Sequence, residues 1–276
     1  MDRRLALLVV LLAVGCLTGP LPIATVNLDA PRPDSALNTV FLEEMTWMEV
    51  RDALRTGKTT ILVPTGGVEQ SGPYVANGKH NYILRATTEA IARRLGNTLV
   101  APIVPFVPEG NIDPPSGHMN YPGTLSVTED TFERLLTDIC ASLRVHGFRN
   151  IVLLGDSFGN QRGMQRVAKQ LTTKWAREKI RVHFLYQYYN YDEVEHWLAG
   201  QGIRLQNENV HDDFIVTAQL LAVNPNTVRM QQRLATGMFC ISGLRLSPAD
   251  AAAWGSKIIE FRVDRSVQAV RQAIQR

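Results

Sequence analysis

Short apolar runs bounded by glycine and proline alternate along this chain with longer segments of helical spacing, and that alternation restricts the fold more than any other feature. Residues 60–64, 99–104, 151–154 and 182–186 read as strands, while 43–55, 81–95, 129–146 and 159–177 read as helices. In 81–95 the apolar residues Ile83, Leu84, Ala90 and Ile91 recur near the 3.6-residue period, and Gly96 follows as a stop. Strands that alternate with helices in this way build βαβ units. The expected fold is therefore α/β, a single three-layer domain with a mostly parallel sheet covered on both faces. A closing helix over 247–274 has Ser247 as its N-cap and Pro248 in its first turn. Hydrophobic residues make up 45% of the chain and charged residues 20%, an ordinary globular balance.

The N-terminus is read apart from the fold. Met1-Asp2-Arg3-Arg4 precedes an apolar run over 5–15, too short for a stable bilayer anchor, which reads as an export signal. Ala13-Val14-Gly15-Cys16 resembles a bacterial lipobox, whose cysteine is lipidated after cleavage. The other reading is an ordinary signal cut before Thr25, with Cys16 discarded. Both make 1–24 an export signal, 25–42 a linker carrying Pro31 and Pro33, and 43–276 an exported domain, periplasmic or lipid-anchored to the bacterial envelope. The lipid is the one membrane contact expected. A net charge of +3 with no Lys/Arg block and no interleaving of basic and aromatic residues speaks against a nucleic-acid partner. Cys140 and Cys240 could pair in an oxidising compartment, but Cys140 falls on an apparent helix face, where a buried free thiol is the commoner outcome.

Candidate chemistry gathers where strands end. In the stretch 61–80, ILVPTGGVEQSGPYVANGKH, a strand empties into a glycine-rich loop carrying Glu69 and ending at His80. Asp156 directly follows the strand 151–154, and the cluster His211-Asp212-Asp213 opens a helical stretch over 214–222. Loops at the C-terminal ends of parallel strands converge in space. Glu69, His80, Asp156, His211 and Asp213 thus form a carboxylate and imidazole set of the kind that binds zinc, manganese or iron. Each also has a structural reading: Glu69 satisfied by loop amides, His80 at a helix start, Asp156 as an N-cap, and His211 with Asp213 capping the helix at Phe214. The excursion over 105–121, with Glu109, Asn111, Asp113 and His118, is expected to form part of the pocket wall.

Four segments in order, PTGGVEQSGP…GKH, GHMNYPGTLS, HGFRNIVLLGDSFGNQ and HDDFIVTAQLLAVNPNTVR, resemble the signature segments of the creatininase family of metal-dependent amidohydrolases. The resemblance spans about residues 43–235 and implies an α/β three-layer fold, a hexameric assembly, and a mono- or dinuclear site that hydrolyses a C–N bond in a small linear or cyclic amide. It also exposes departures. Glu69 matches the family's first motif, E-x-H-G-P-H, but Ser71 and Tyr74 stand at its two histidines and His80 stands at the later bridging Asp. The family's N-G-H-G-G-N becomes 155–160, with Ser157 at the ligand His and Asp156 one residue earlier; its H-A-G-E becomes 211–214, with Phe214 at the Glu.

Two readings follow. In one, the lost ligands are replaced, with Glu69, His80 and Asp156 holding one divalent ion (Zn, Mn or Fe) while His211 and Asp213 relay a proton to the leaving nitrogen. His80 matters most there, since a neutral imidazole cannot bridge two ions. In the other, metal binding is lost and the scaffold is a binding or assembly protein. A homo-oligomer is implied by the resemblance in either case. The four tryptophans, Trp47, Trp175, Trp197 and Trp254, suit an interface or an ordinary core.

Overall fold

The structure is a computed structural model, described for residues 27–206 and 211–275. The export signal and Cys16 lie outside the described residues. The chain divides into a unit of residues 1–35 and one of residues 36–276. In the described part of the first, a turn is closed by the Ala30 amide donating to the Asn27 carbonyl at 3.1 Å.

The larger unit runs α1 (Trp47–Arg55), β1 (Thr60–Thr65), α2 (Lys79–Leu95), β2 (Thr98–Val100), α3 (Glu129–Val145), β3 (Asn150–Gly155), α4 (Phe158–Lys174), β4 (Arg181–Phe184), α5 (Tyr186–Tyr189), α6 (Tyr191–Gly200), α7 (Phe214–Val223), α8 (Met230–Ala235) and α9 (Pro248–Ile274). The four strands form one parallel sheet in the order β2-β1-β3-β4. All their C-terminal ends therefore lie on one edge.

Strand side chains alternate between faces, and the core divides accordingly. Ile61, Val63, Ile151 and Leu153 pack with Phe132 and Leu136 of α3 and with Met164, Val167 and Leu171 of α4. Leu62, Val152 and Leu154 face the other way, onto Leu84 and Ile91 of α2 and Val263, Val267 and Val270 of α9. This is the expected three-layer arrangement. A further apolar cluster joins α7, α6 and the first half of α9, where an added Cβ at Gly255 would stand 1.9 Å from the Ala218 carbonyl oxygen.

The helix ends follow the sequence chemistry. Thr46 and Glu49 form a reciprocal capping box on α1, Ser247 accepts from the Asp250 amide with Pro248 beside it, and Gly96 ends α2 at φ 80°. Several boundaries differ from expectation: α4 ends at Lys174, and the fourth strand stops at Phe184, with Tyr186 already in α5. Residues 40 and 41 belong to the compact unit: Val40 and Phe41 are buried, and the Val100 amide donates to the Val40 carbonyl at 2.8 Å, so the sheet edge claims part of the expected linker. The second strand is only three residues, because the chain turns away after Val100 and returns at a single bridge, Thr65 with Val104. Cys140 is a buried free thiol and Cys240 an exposed one. Trp175 is in the core, and Trp197 stacks on Phe261 at 4.7 Å. Among the described residues no helix is long and apolar enough to cross a membrane.

Candidate metal centre

The loop after β1 is built to carry Glu69. Its backbone is pinned by Asn81, which donates to the Gly67 carbonyl at 3.1 Å and accepts from the Gly67 amide at 3.3 Å, and by the Glu69 amide donating to the Asn77 carbonyl at 3.0 Å. At the end of β3 the Asp156 amide donates to Thr65, and Asn160 of α4 donates to the Thr65 and Gly66 carbonyls, both at 2.9 Å. Two adjacent strand ends are thereby locked together, with Glu69 and Asp156 facing one space.

His80 lies between them. Its Nε2 is 2.8 Å from Glu69 Oε1 and its Nδ1 3.1 Å from Asp156 Oδ2. Both neighbours are acceptors, so both ring nitrogens donate and the ring is an imidazolium. Burial alone would lower its pKa, but the hydrogen bonds to Asp156 and Glu69 outweigh burial and raise it. Asp156 is fully engaged as well: Arg262 of α9 pairs with it and the Tyr191 hydroxyl donates to Oδ1 at 3.1 Å. Against the cost of burial, Arg262 and His80 hold its carboxyl down at about 2. The structure thus brings His80 and Asp156 to the expected site, but in place of the ligand roles expected for them it gives each a full set of protein partners. An imidazolium has no lone pair to offer an ion.

A second group gathers its ligand atoms more closely, although Lys79 and His80 hold Glu69 and the Gln70 side-chain amide donates to His118 Nδ1 at 3.2 Å, which puts that ring's proton on Nε2. Glu69, His118 and His211 each present a ligand atom within 4.8 Å of the others. His118 Nε2 is 3.2 Å from Glu69 Oε2, His211 Nε2 is 3.7 Å from Oε1, and the two imidazoles stack at 4.5 Å. His211 Nδ1 donates to the Gln70 carbonyl at 2.8 Å, which leaves Nε2 as its lone-pair nitrogen, the usual orientation of a metal-binding histidine. Burial, and then the nearby Lys79, lower its pKa and keep it neutral. Two imidazoles and a carboxylate are a donor set that catalytic zinc takes, so the residues present fit one divalent ion. His211 was expected to carry protons and instead stands in this donor set. Asp213 lines the cavity but caps α7, accepting from the Val216 amide at 3.0 Å, and Asp212 is buried against Arg233.

Glu109 completes the polar floor. It is buried beside Glu69, and Ser157 Oγ donates to its Oε2 at 3.1 Å. Burial first, and then the charge of Glu69, push its pKa up to about 9. Glu69 itself moves the opposite way despite its burial, because His80 and Lys79 hold it ionised. The surrounding cavity, about 690 Å³, has an aromatic wall of Phe158, Tyr189 and Tyr191. Gly159 sits under this wall, where an added Cβ would stand 1.9 Å from the Pro108 carbonyl oxygen and push on the segment carrying Glu109.

Sequence reasoning placed Glu109 and His118 in a pocket wall without giving them roles, and it missed Lys79, Tyr191 and Arg262. Lys79 had one signal, its position directly before His80. Arg262 had another: it shares a helix face with Ile258 and Ser266, four residues away on either side and both fully buried.

The sequence model of the creatininase family, described as creatinine amidohydrolase, matches residues 43–243. The chain belongs to this family. It is 28% identical over 122 residues to creatinine amidohydrolase of Pseudomonas putida, covering 44% of this chain and 46% of that protein. It is 23% identical over 199 residues to 3-dehydro-scyllo-inosose hydrolase of Thermotoga maritima, covering 71% of this chain and 60% of that one. The chain thus spans less than two thirds of either relative. A crystal structure of creatinine amidohydrolase superposes with a TM-score of 0.67 at 20% identity over 86% of this chain and 99% of that one. A manganese creatininase gives 0.67 at 22% identity, and a zinc–zinc form of a creatininase mutant gives 0.64 at 22%, with the same coverage. These likenesses show the fold of this creatininase-family chain.

Proposed function

We propose that this chain is a hydrolase that cleaves a C–N bond in a small linear or cyclic amide, using one divalent ion held by Glu69, His118 and His211. The convergence of those three side chains at the C-terminal edge of the sheet carries the reading. The family supports it, as do two relatives named as hydrolases. An ion there, zinc or manganese as in the similar solved structures or iron, supplies a Lewis acid and a water acidified toward neutrality.

The chain's own residues do the rest. Two neighbouring carboxyl groups have pKa values driven apart, Glu69 ionised and Glu109 neutral at pH 7, a division that assigns an anion to one and a proton to the other. Ser157 occupies Glu109 Oε2, so the proton is held at Oε1 and is passed to the leaving nitrogen. His80, clamped by two carboxylates, fixes the Glu69 carboxylate in place. Phe158, Tyr189 and Tyr191 offer an aromatic wall of mutually tilted rings and thin the water around a substrate.

The test is elemental analysis of the untagged protein for zinc, manganese and iron, together with amine release from a panel of linear and cyclic amides. Glu69→Ala is expected to empty the site and stop hydrolysis. A wild-type protein that carries no metal with micromolar zinc or manganese present, or hydrolysis untouched by Glu69→Ala, overturns the proposal. One observation favours a second reading, a metal-free binding protein: the charges of Glu69 and Asp156 are already matched by Lys79, His80 and Arg262. We further propose export through the signal at 1–24 and assembly as a homo-oligomer; cell fractionation and light scattering test these, and a cytoplasmic monomer would refute both.

A further inference from the structure

The first turn of α2 carries Lys79 and His80 into the site, and the helix gives no reason for the lysine. Its N-terminus is the positive end of the backbone dipole, where acidic side chains are favoured and basic ones are not. Lys79 is nevertheless 1% exposed, and so is almost fully withdrawn from water. Its ammonium lies 3.0 Å from Glu69 Oε1 and 3.3 Å from His211 Nδ1. That Nδ1 already donates to the Gln70 carbonyl, so it accepts nothing from the lysine and Glu69 is the group that holds it. His80 reaches the same oxygen at 2.8 Å. One oxygen of Glu69 is thus taken by the lysine ammonium and a His80 ring nitrogen, while the other faces His118.

A buried ammonium requires a carboxylate close by, since leaving a charge unpaired in the interior costs several kcal/mol. Here the carboxylate supplied is the single acidic member of the donor group. Lys79 and a metal ion therefore draw on the same charge, and the lysine, being covalently attached, is always present.

We propose that Lys79 is a built-in cation of this centre: its ammonium, beside the His80 ring nitrogen, occupies one oxygen of Glu69, so the chain takes a single divalent ion and binds it more weakly than the bare donor set would. The proposal rests on the reading of Glu69, His118 and His211 as the ion's ligands and adds what limits them. Lys79 is a positioning residue in this account, since it acts on the ion through Glu69.

The experiment is calorimetric titration of untagged, chelator-treated protein with zinc chloride and manganese chloride, with elemental analysis after dialysis, on wild type, Lys79→Met, Lys79→Gln and Lys79→Arg. Wild type is expected to saturate at one ion per chain. Removing the charge, in Lys79→Met or Lys79→Gln, is expected to tighten binding at least tenfold; Lys79→Arg, which keeps it, should stay within about threefold of wild type, where 1.4 kcal/mol is a factor of ten. Two ions per wild-type chain overturn the proposal without needing any variant to fold. Unchanged affinity in the folded, charge-removed variants overturns it too. No binding by wild type overturns the single bound ion and the ion-dependent hydrolase together, whereas one ion per wild-type chain with unchanged affinity in the variants leaves the hydrolase standing.

Discussion

Arg262→Met should be among the most damaging single changes outside the strands. Arg262 is buried on α9 and pairs with Asp156, while its guanidinium also donates to the Gln219 side-chain oxygen at 3.0 Å and to the Tyr188 carbonyl at 2.9 Å. Removing one partner of a buried ion pair costs about 3–5 kcal/mol, because the other charge is left uncompensated. The two orphaned acceptors add about 1 kcal/mol each. His80 still faces Asp156 and offsets part of this, so a net loss of about 4–5 kcal/mol is expected. At about 2–4 °C per kcal/mol for a domain of this size, the melting temperature should fall by about 10–20 °C in a thermal scan followed by circular dichroism. Arg262→Met combined with Asp156→Asn should regain at least half of the loss, since the uncompensated charge is then gone. A drop below about 3 °C for the single variant, or a double variant less stable than the single, would refute the account of Arg262 as the counter-charge.

Glu109 should leave a mark on the pH dependence of stability. Its folded pKa, about 9, lies above its ordinary 4.5, so across that interval the folded protein holds a proton the unfolded chain has released, and stability falls as pH rises. Glu109→Gln should flatten that slope in urea unfolding measured from pH 5 to 9; an unchanged slope would remove Glu109 as the source. Asp156 acts in the opposite sense: its stabilisation is full above its unfolded pKa and is lost as pH falls toward about 2, so Asp156→Asn should blunt the acid limb when the urea series is extended below pH 5. Gly255→Ala forces a methyl group to 1.9 Å from the Ala218 carbonyl, and a loss of about 1–3 kcal/mol is expected in the same assay. His118→Ala should lower metal content in elemental analysis while leaving the melting temperature within about 3 °C, because this side chain is part-exposed and belongs to none of the three apolar clusters.

The parts of this molecule that follow a period were legible from residue types alone. Apolar runs such as 60–64 and 151–154, short and bounded by turn residues, read as strands buried on both faces, and they are. Caps at Ser247 and Gly96 sit where the chemistry of the residues puts them. The site was legible as a place and much less as a set of partnerships. Glu69, His80 and Asp156 do meet, because parallel strand ends share an edge. That His80 bonds two carboxylates rather than an ion depends on where Lys79 and Arg262 reach, and neither reach is encoded in local pattern. The helices α5 and α6 went unread because Tyr186 to Tyr191 is aromatic-rich and gives no clean period before Tyr191. His118 belongs to an irregular excursion, where no periodicity assigns a side chain a direction.

Asp156 and Arg262 are 106 residues apart. While the chain is being made, the strand that ends beside Asp156 exists long before the helix that will neutralise it, and at about 5–20 residues per second that interval lasts on the order of 5–20 s. A nascent chain lacking α9 holds Asp156 against His80 without the guanidinium of Arg262, so the sheet edge that carries the site has reason to stay open until α9 arrives. A chain stopped short at the end of the family match, residue 243, would lack α9 and with it the guanidinium that pairs with Asp156.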